Sequence, residues 1–134
     1  MGFEVEGIDD FIKELEGLGN LDAYAPELLQ AAAPILEEKL RQEVQGAANR
    51  GYATGRLARS IKAGKPSQNQ YGHYVSVSAK GKDSKGIRNN EKLAYLHYGT
   101  SKQTARPVLT NAVKKAEKRC LEVMQKKLDE VTER

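Results

Sequence analysis

Two long stretches of this chain carry apolar residues at helical spacing, and they set the architecture. Near the end, Leu109, Ala112, Val113, Ala116, Cys120, Val123, Met124, Leu128 and Val131 recur every three or four positions. Nearer the start, Leu28, Leu29, Ala32, Ile35, Leu36, Leu40 and Val44 do the same. An apolar stripe of this kind has to be buried against another layer, and 134 residues suffice for one compact domain to do so. The expectation is a single domain over 1–134.

Each stripe has its punctuation. Pro107 stands where a final helix opens, a position that tolerates a missing amide. Pro34 interrupts the earlier stripe, either starting a new helix or kinking a longer one. The in-phase stripe and the run Ala31-Ala32-Ala33 favour one kinked helix from about Tyr24 to Ala48. A shorter helix is expected before it, with Ile8, Phe11, Ile12, Leu15 and Leu18 on one face and Asp9 or Asp10 as cap.

Between the stripes the periodicity changes. Arg56 to Ser60 reads as one helical turn running into a strand, and residues 64–72 as a loop. Tyr71 to Ala79 alternates as a half-buried strand does. Residues 80–92 read as a mobile basic loop containing Lys80, Lys82, Lys85, Arg88 and Lys92. The apolar run Leu93 to Tyr98 suits a strand or a short helix. The resulting class is α+β: N-terminal helices and a long C-terminal helix packed on a small antiparallel sheet.

Charge divides the chain. The overall balance is +4. Residues 1–50 hold 4 basic and 11 acidic side chains, net −7, whereas residues 51–134 hold 18 and 7, net +11. Within 51–106 the excess is +9. Such asymmetry points to an anionic partner for one part or to head-to-tail self-association of unlike faces.

Catalytic and metal chemistry find little footing. His73 and His97 fall in candidate strands without metal-ligand spacing. The single cysteine, Cys120, lies on an apolar helix face, so neither an intrachain disulfide nor a cysteine cage is expected. Gly51 to Arg56 lacks the lysine-plus-hydroxyl ending of a phosphate loop. No enzyme activity, cofactor or metal is expected. No apolar run approaches about 18 residues, the length of a membrane span. The start Met1-Gly2-Phe3-Glu4 lacks a signal-peptide pattern, so synthesis in a reducing cytoplasm is expected. Nucleic-acid binding rests on charge alone, since no helix-turn-helix, zinc-finger or RNA-binding signature occurs.

Four ordered boxes carry a family resemblance. They are Val5-Glu6-Gly7-Ile8-Asp9-Asp10, then Thr54-Gly55-Arg56-Leu57-Ala58-Arg59-Ser60-Ile61, then Ala94-Tyr95-Leu96-His97-Tyr98-Gly99-Thr100, and finally Ala105-Arg106-Pro107-Val108-Leu109 with Ala112 following. In order and spacing the chain resembles the tail-completion, or head–tail joining, proteins of long-tailed bacteriophages, the gene-product-ten type of the Hong Kong lambdoid phages. The second box follows a Thr-Gly-x-Leu-x-x-Ser-Ile pattern. The chain departs from the family at His97, where an acidic residue is common, at Tyr98, which replaces a phenylalanine, and in lacking a proline before the second box.

The resemblance implies a non-enzymatic structural protein of a phage or prophage virion, made in the host bacterial cytoplasm and sited at the neck or tail. It implies helices packed on an antiparallel sheet covered by the C-terminal helix. It also implies a ring of six copies on assembly, meeting a head–tail adaptor and tail terminator or tube proteins. The assembly residues it marks are Thr54, Gly55, Leu57, Ser60, Ile61, Tyr95, Tyr98, Gly99, Thr100, Arg106 and Pro107. Lys80, Lys82, Lys85, Arg88 and Lys92 would face DNA passing through the lumen, touching phosphates without reading bases. The rival expectation is a nonspecific nucleic-acid-binding module using the basic 51–106 region. Neither reading requires a membrane.

Overall fold

The computed structural model describes residues 21–51, 55–70, 72–101 and 104–133. The helix expected around Ile8 to Leu18 lies outside the described residues. Helix α1 spans Leu21–Asn49 and holds both Pro26 and Pro34 inside one continuous helix. A single turn, α2, covers Gly55–Arg59. Four short strands follow: β1 (Ile61–Ala63), β2 (Ser67–Asn69), β3 (Gly72–Tyr74) and β4 (Val77–Ala79). Helix α3 spans Asn89–Tyr98 and helix α4 spans Val108–Thr132.

The α+β class is as expected, and the largest interface is that of α1 against α4. Their ion pairs fix the direction. Glu27 meets Lys127 at 4.0 Å, and Glu43 meets Lys115, so the helices run antiparallel. Small residues are buried on both helices: Ala32 and Ala33 on α1, Ala112 and Ala116 on α4. Toward the ends of the chain, Leu28, Leu128 and Val131 form a small cluster with Tyr24, Leu121 and Met124 packed on it. At the opposite end lies the larger core, in which Leu40, Val44, Leu57, Ile61, Leu93, Leu96 and Val108 meet.

The strands make two antiparallel pairs. β1 pairs with β4 in the register Ile61↔Ala79, and β2 pairs with β3 in the register Ser67↔Tyr74. Because the pairs are nested, residues 61–79 form one long hairpin with a break in each arm. Pro66 has no amide to give to the ladder, which accounts for the break on its side. The expected single strand over Tyr71 to Ala79 is therefore two, and the expected loop over 64–72 contains β2. All three residues of β2 are exposed, so no apolar alternation marks it.

A carboxylate ties this hairpin to α1. Glu37 Oε2 accepts the amide of Ala63 at 3.0 Å. Arg41 Nη2 donates to Glu37 Oε1 at 2.6 Å and to the carbonyl of Ile61 at 2.7 Å. Burial works to raise the Glu37 pKa, but the Ala63 amide and the Arg41 guanidinium outweigh it and hold the carboxyl below its ordinary value.

One further expectation is corrected. Residues 93–98 are helical, so His97 sits on a helix and not in a strand. Leu57 on α2 and Ile61, the first residue of β1, enter the same core. At the start of α4, Val108 is the buried residue and Leu109 packs half-buried against the core edge.

Candidate functional site

The boxes at 54–61, 94–100 and 105–112 meet in space. Thr54 lies outside the described residues. Gly55 opens α2, and Leu57 and Ile61 are buried, Ile61 completely. Ser60 ends the turn, its Oγ donating to the carbonyl of Leu57 at 2.6 Å. From the third box, Leu96 enters the core beside them, and its carbonyl accepts the amide of Arg106 at 2.8 Å. Gly99 closes α3 at φ +80°, a left-handed conformation that favours glycine, and its amide donates to the carbonyl of Tyr95 at 2.8 Å.

The fourth box is held by a histidine. Pro107 caps α4 without a side-chain hydrogen bond. The amide of Leu109 donates instead to Nδ1 of His97 at 3.3 Å. His97 is only 7% exposed, and burial lowers its pKa, keeping the imidazole neutral and able to accept. The interlocked boxes thus account for Leu57, Ser60, Ile61, Gly99, Arg106 and Pro107 as residues that build one node. Tyr95, Tyr98 and Thr100 are different, because they are exposed on its surface, Tyr98 by 63%. The Tyr98 ring stands edge-on to His97 with centroids 4.4 Å apart. Tyr95 donates its hydroxyl to Glu91 at 3.1 Å, and that carboxylate raises its pKa.

Beside the node lies an open cleft of about 880 Å³ between α2 and the segment that precedes α3. Arg56 and Arg59 line one side, and Lys82, Lys85 and Lys92 the other. The guanidinium of Arg59 lies over Gly55, where an added Cβ would come within 3.2 Å of its Nη1. Asp83 organises the opposite wall. Its Oδ1 accepts the amides of Lys85 at 2.8 Å and Ile87 at 2.9 Å, and its Oδ2 pairs with Lys92. The bond from Lys92 and the Ile87 amide together hold the Asp83 pKa down to about 2.

The basic segment expected over 80–92 is thus a closed turn over 80–88, and Lys92 belongs to α3. Asn89 fastens its base, its amide donating to the carbonyl of Gly81 at 2.9 Å and its side chain to that of Lys80 at 2.8 Å. Lys82 and Lys85 line the cleft as cations, whereas Lys80 and Arg88 lie outside it. Sequence reasoning misses the two arginines as partners of these lysines, although their i, i+3 spacing on a short turn is visible in the chain.

Cys120 lies half-buried on α4. Burial raises its pKa, and its thiol lies 3.7 Å from the carbonyl of Ala32. Among the described residues, no group of three or more His, Cys, Asp or Glu side chains could hold a metal ion, and no helix is long and apolar enough to cross a membrane. No family model, curated protein or solved structure matches the chain.

Proposed function

We propose that this chain is a non-enzymatic structural subunit of a phage or prophage, one that oligomerises into a ring joining the head and portal neck to the tail and lets DNA pass. The observation that carries the reading is the convergence of three sequence boxes, separated by tens of residues, on one node built from α2, β1, α3 and the start of α4. Motifs that resemble a family's in order and also interlock in space support a common fold better than any one of them does alone. The node turns Tyr95 and Tyr98 outward, and exposed aromatic residues suit subunit contacts. Opposite charge in the two parts of the chain suits the unlike faces of a ring. Cryo-electron images of purified virions test the proposal. Density for this chain in a ring at the neck is expected, and its absence from the neck refutes the joining role.

A further inference from the structure

The cations of the α2 cleft come from two places in the sequence and are unequally used. Lys92 is spent on Asp83. Among the described residues, no carboxylate pairs with Arg56, Arg59, Lys82 or Lys85. Asp83, the one acidic residue lining the cleft among the described residues, has its carboxylate occupied by two backbone amides and Lys92. The cleft therefore presents cations from two facing walls, and the side with the lysines is held in shape by hydrogen bonds rather than left loose.

We infer that this cleft binds the phosphate backbone of duplex DNA, with Arg56 and Arg59 on α2 and Lys82 and Lys85 on the facing turn as its contacts. At about 880 Å³ and open to solvent, it has room for a stretch of backbone rather than a single buried phosphate. Guanidinium groups bind phosphate oxygens in pairs, and lysines add mobile point charges. Among the described residues the lining is cationic and polar apart from Ile87 and Gly55, and such a lining contacts phosphates rather than reading base edges. The inference deepens the DNA-passage part of the function proposed above and rests on that part alone. It also moves the contact from a loop of five basic residues to a two-walled site that includes α2.

The test uses the full chain and a fluorescein-labelled 20-base-pair duplex, with anisotropy followed from low to moderate salt. Three double variants are compared: Arg56→Ala with Arg59→Ala, Lys82→Ala with Lys85→Ala, and Lys114→Ala with Lys118→Ala on the exposed face of α4. Each removes two positive charges, and circular dichroism melts establish that each is folded. The wild type is expected to bind at low salt. Each cleft variant is expected to bind at least tenfold more weakly, with a salt slope shallower by about 1.8, or about 0.9 per lost phosphate contact. The α4 variant should stay within about threefold of wild type. An absence of wild-type binding at low salt overturns the inference, as does equal weakening by all three variants, which would mean diffuse attraction. A synthetic peptide of residues 1–20, net −5 in side-chain charge, is the competing occupant. If it binds the cleft more tightly than the duplex, the cleft is a contact between copies and the DNA assignment fails. Virion images and oligonucleotide binding fail separately: a chain missing from the neck leaves the binding result standing, and a chain that ignores DNA leaves the joining role standing.

Discussion

Pro107 offers α4 no side-chain cap, so the Leu109 amide turns to the imidazole of His97. That makes the histidine structural and pH-sensitive at once. Protonating Nδ1 would replace the acceptor with a donor, and burial already disfavours the charged ring. With the folded pKa below the ordinary 6.5, the unfolded chain takes up the proton first as pH falls. The contribution from His97 is therefore complete above about pH 6.5 and declines below it. Urea midpoints measured between pH 8 and 5 should show the decline, and His97→Ala should remove that component while costing about 1–2 kcal/mol at pH 8. Asp83 titrates in a lower range. Its tie to the turn amides is fully present above the ordinary 3.8 and is lost as pH falls through about 2. Amide chemical shifts of Lys85 and Ile87 should titrate together with a midpoint near 2, and Asp83→Asn should abolish that titration.

At the scale of elements, the hairpin is tied to α1 by the Glu37 carboxylate, by Arg41 and by the packing of Ile61. Glu37→Ala would leave the amide of Ala63 and the guanidinium of Arg41 short of a partner, and a loss of about 1–3 kcal/mol is expected in denaturant melts. At the far end of the helix pair, Leu128 is almost completely buried, so Leu128→Ala should cost about 2–5 kcal/mol. Leu109→Ala should cost less, because that residue is only half-buried. Burial also decides which elements are legible in the chain. The long helices are legible because α1 and α4 sustain a 3.6-residue period over many turns. β2 is not, because Ser67, Gln68 and Asn69 are all exposed and carry no alternation. Leu93 to Tyr98 is ambiguous because six residues, nearly all apolar or aromatic, do not separate a period of two from one of 3.6. In the cleft, the lysines announce themselves as a cluster, while Arg56 and Arg59 become their neighbours only through the tertiary fold.

Across the whole molecule, four large hydrophobic side chains stay exposed among the described residues, Tyr74, Ile87, Tyr95 and Tyr98, and Tyr98 is the most exposed of them at 63%. Tyr98→Ser should cost no more than about 1.5 kcal/mol, the loss of the edge-on ring contact with His97. In the joining role it should nonetheless lower the yield of infectious particles, and a wild-type yield would remove Tyr98 from the assembly contacts. The pairing of α1 with α4 has a consequence for the chain as it is made. Its cross-links span 72 residues between Glu43 and Lys115 and 88 between Ala32 and Cys120, so the largest interface joins segments synthesised far apart in time. Until the residues of α4 leave the ribosome, only the Leu40 and Val44 end of the α1 stripe has partners, in α2, the hairpin and α3, and the Leu28 end lacks the Leu128 and Val131 side chains that cover it. Distant pairing of this kind slows folding relative to other helical proteins of similar size. A nascent or prematurely terminated chain exposes the uncovered part of that stripe to any apolar surface nearby, and α4 closes it only after the hairpin and α3 have been made.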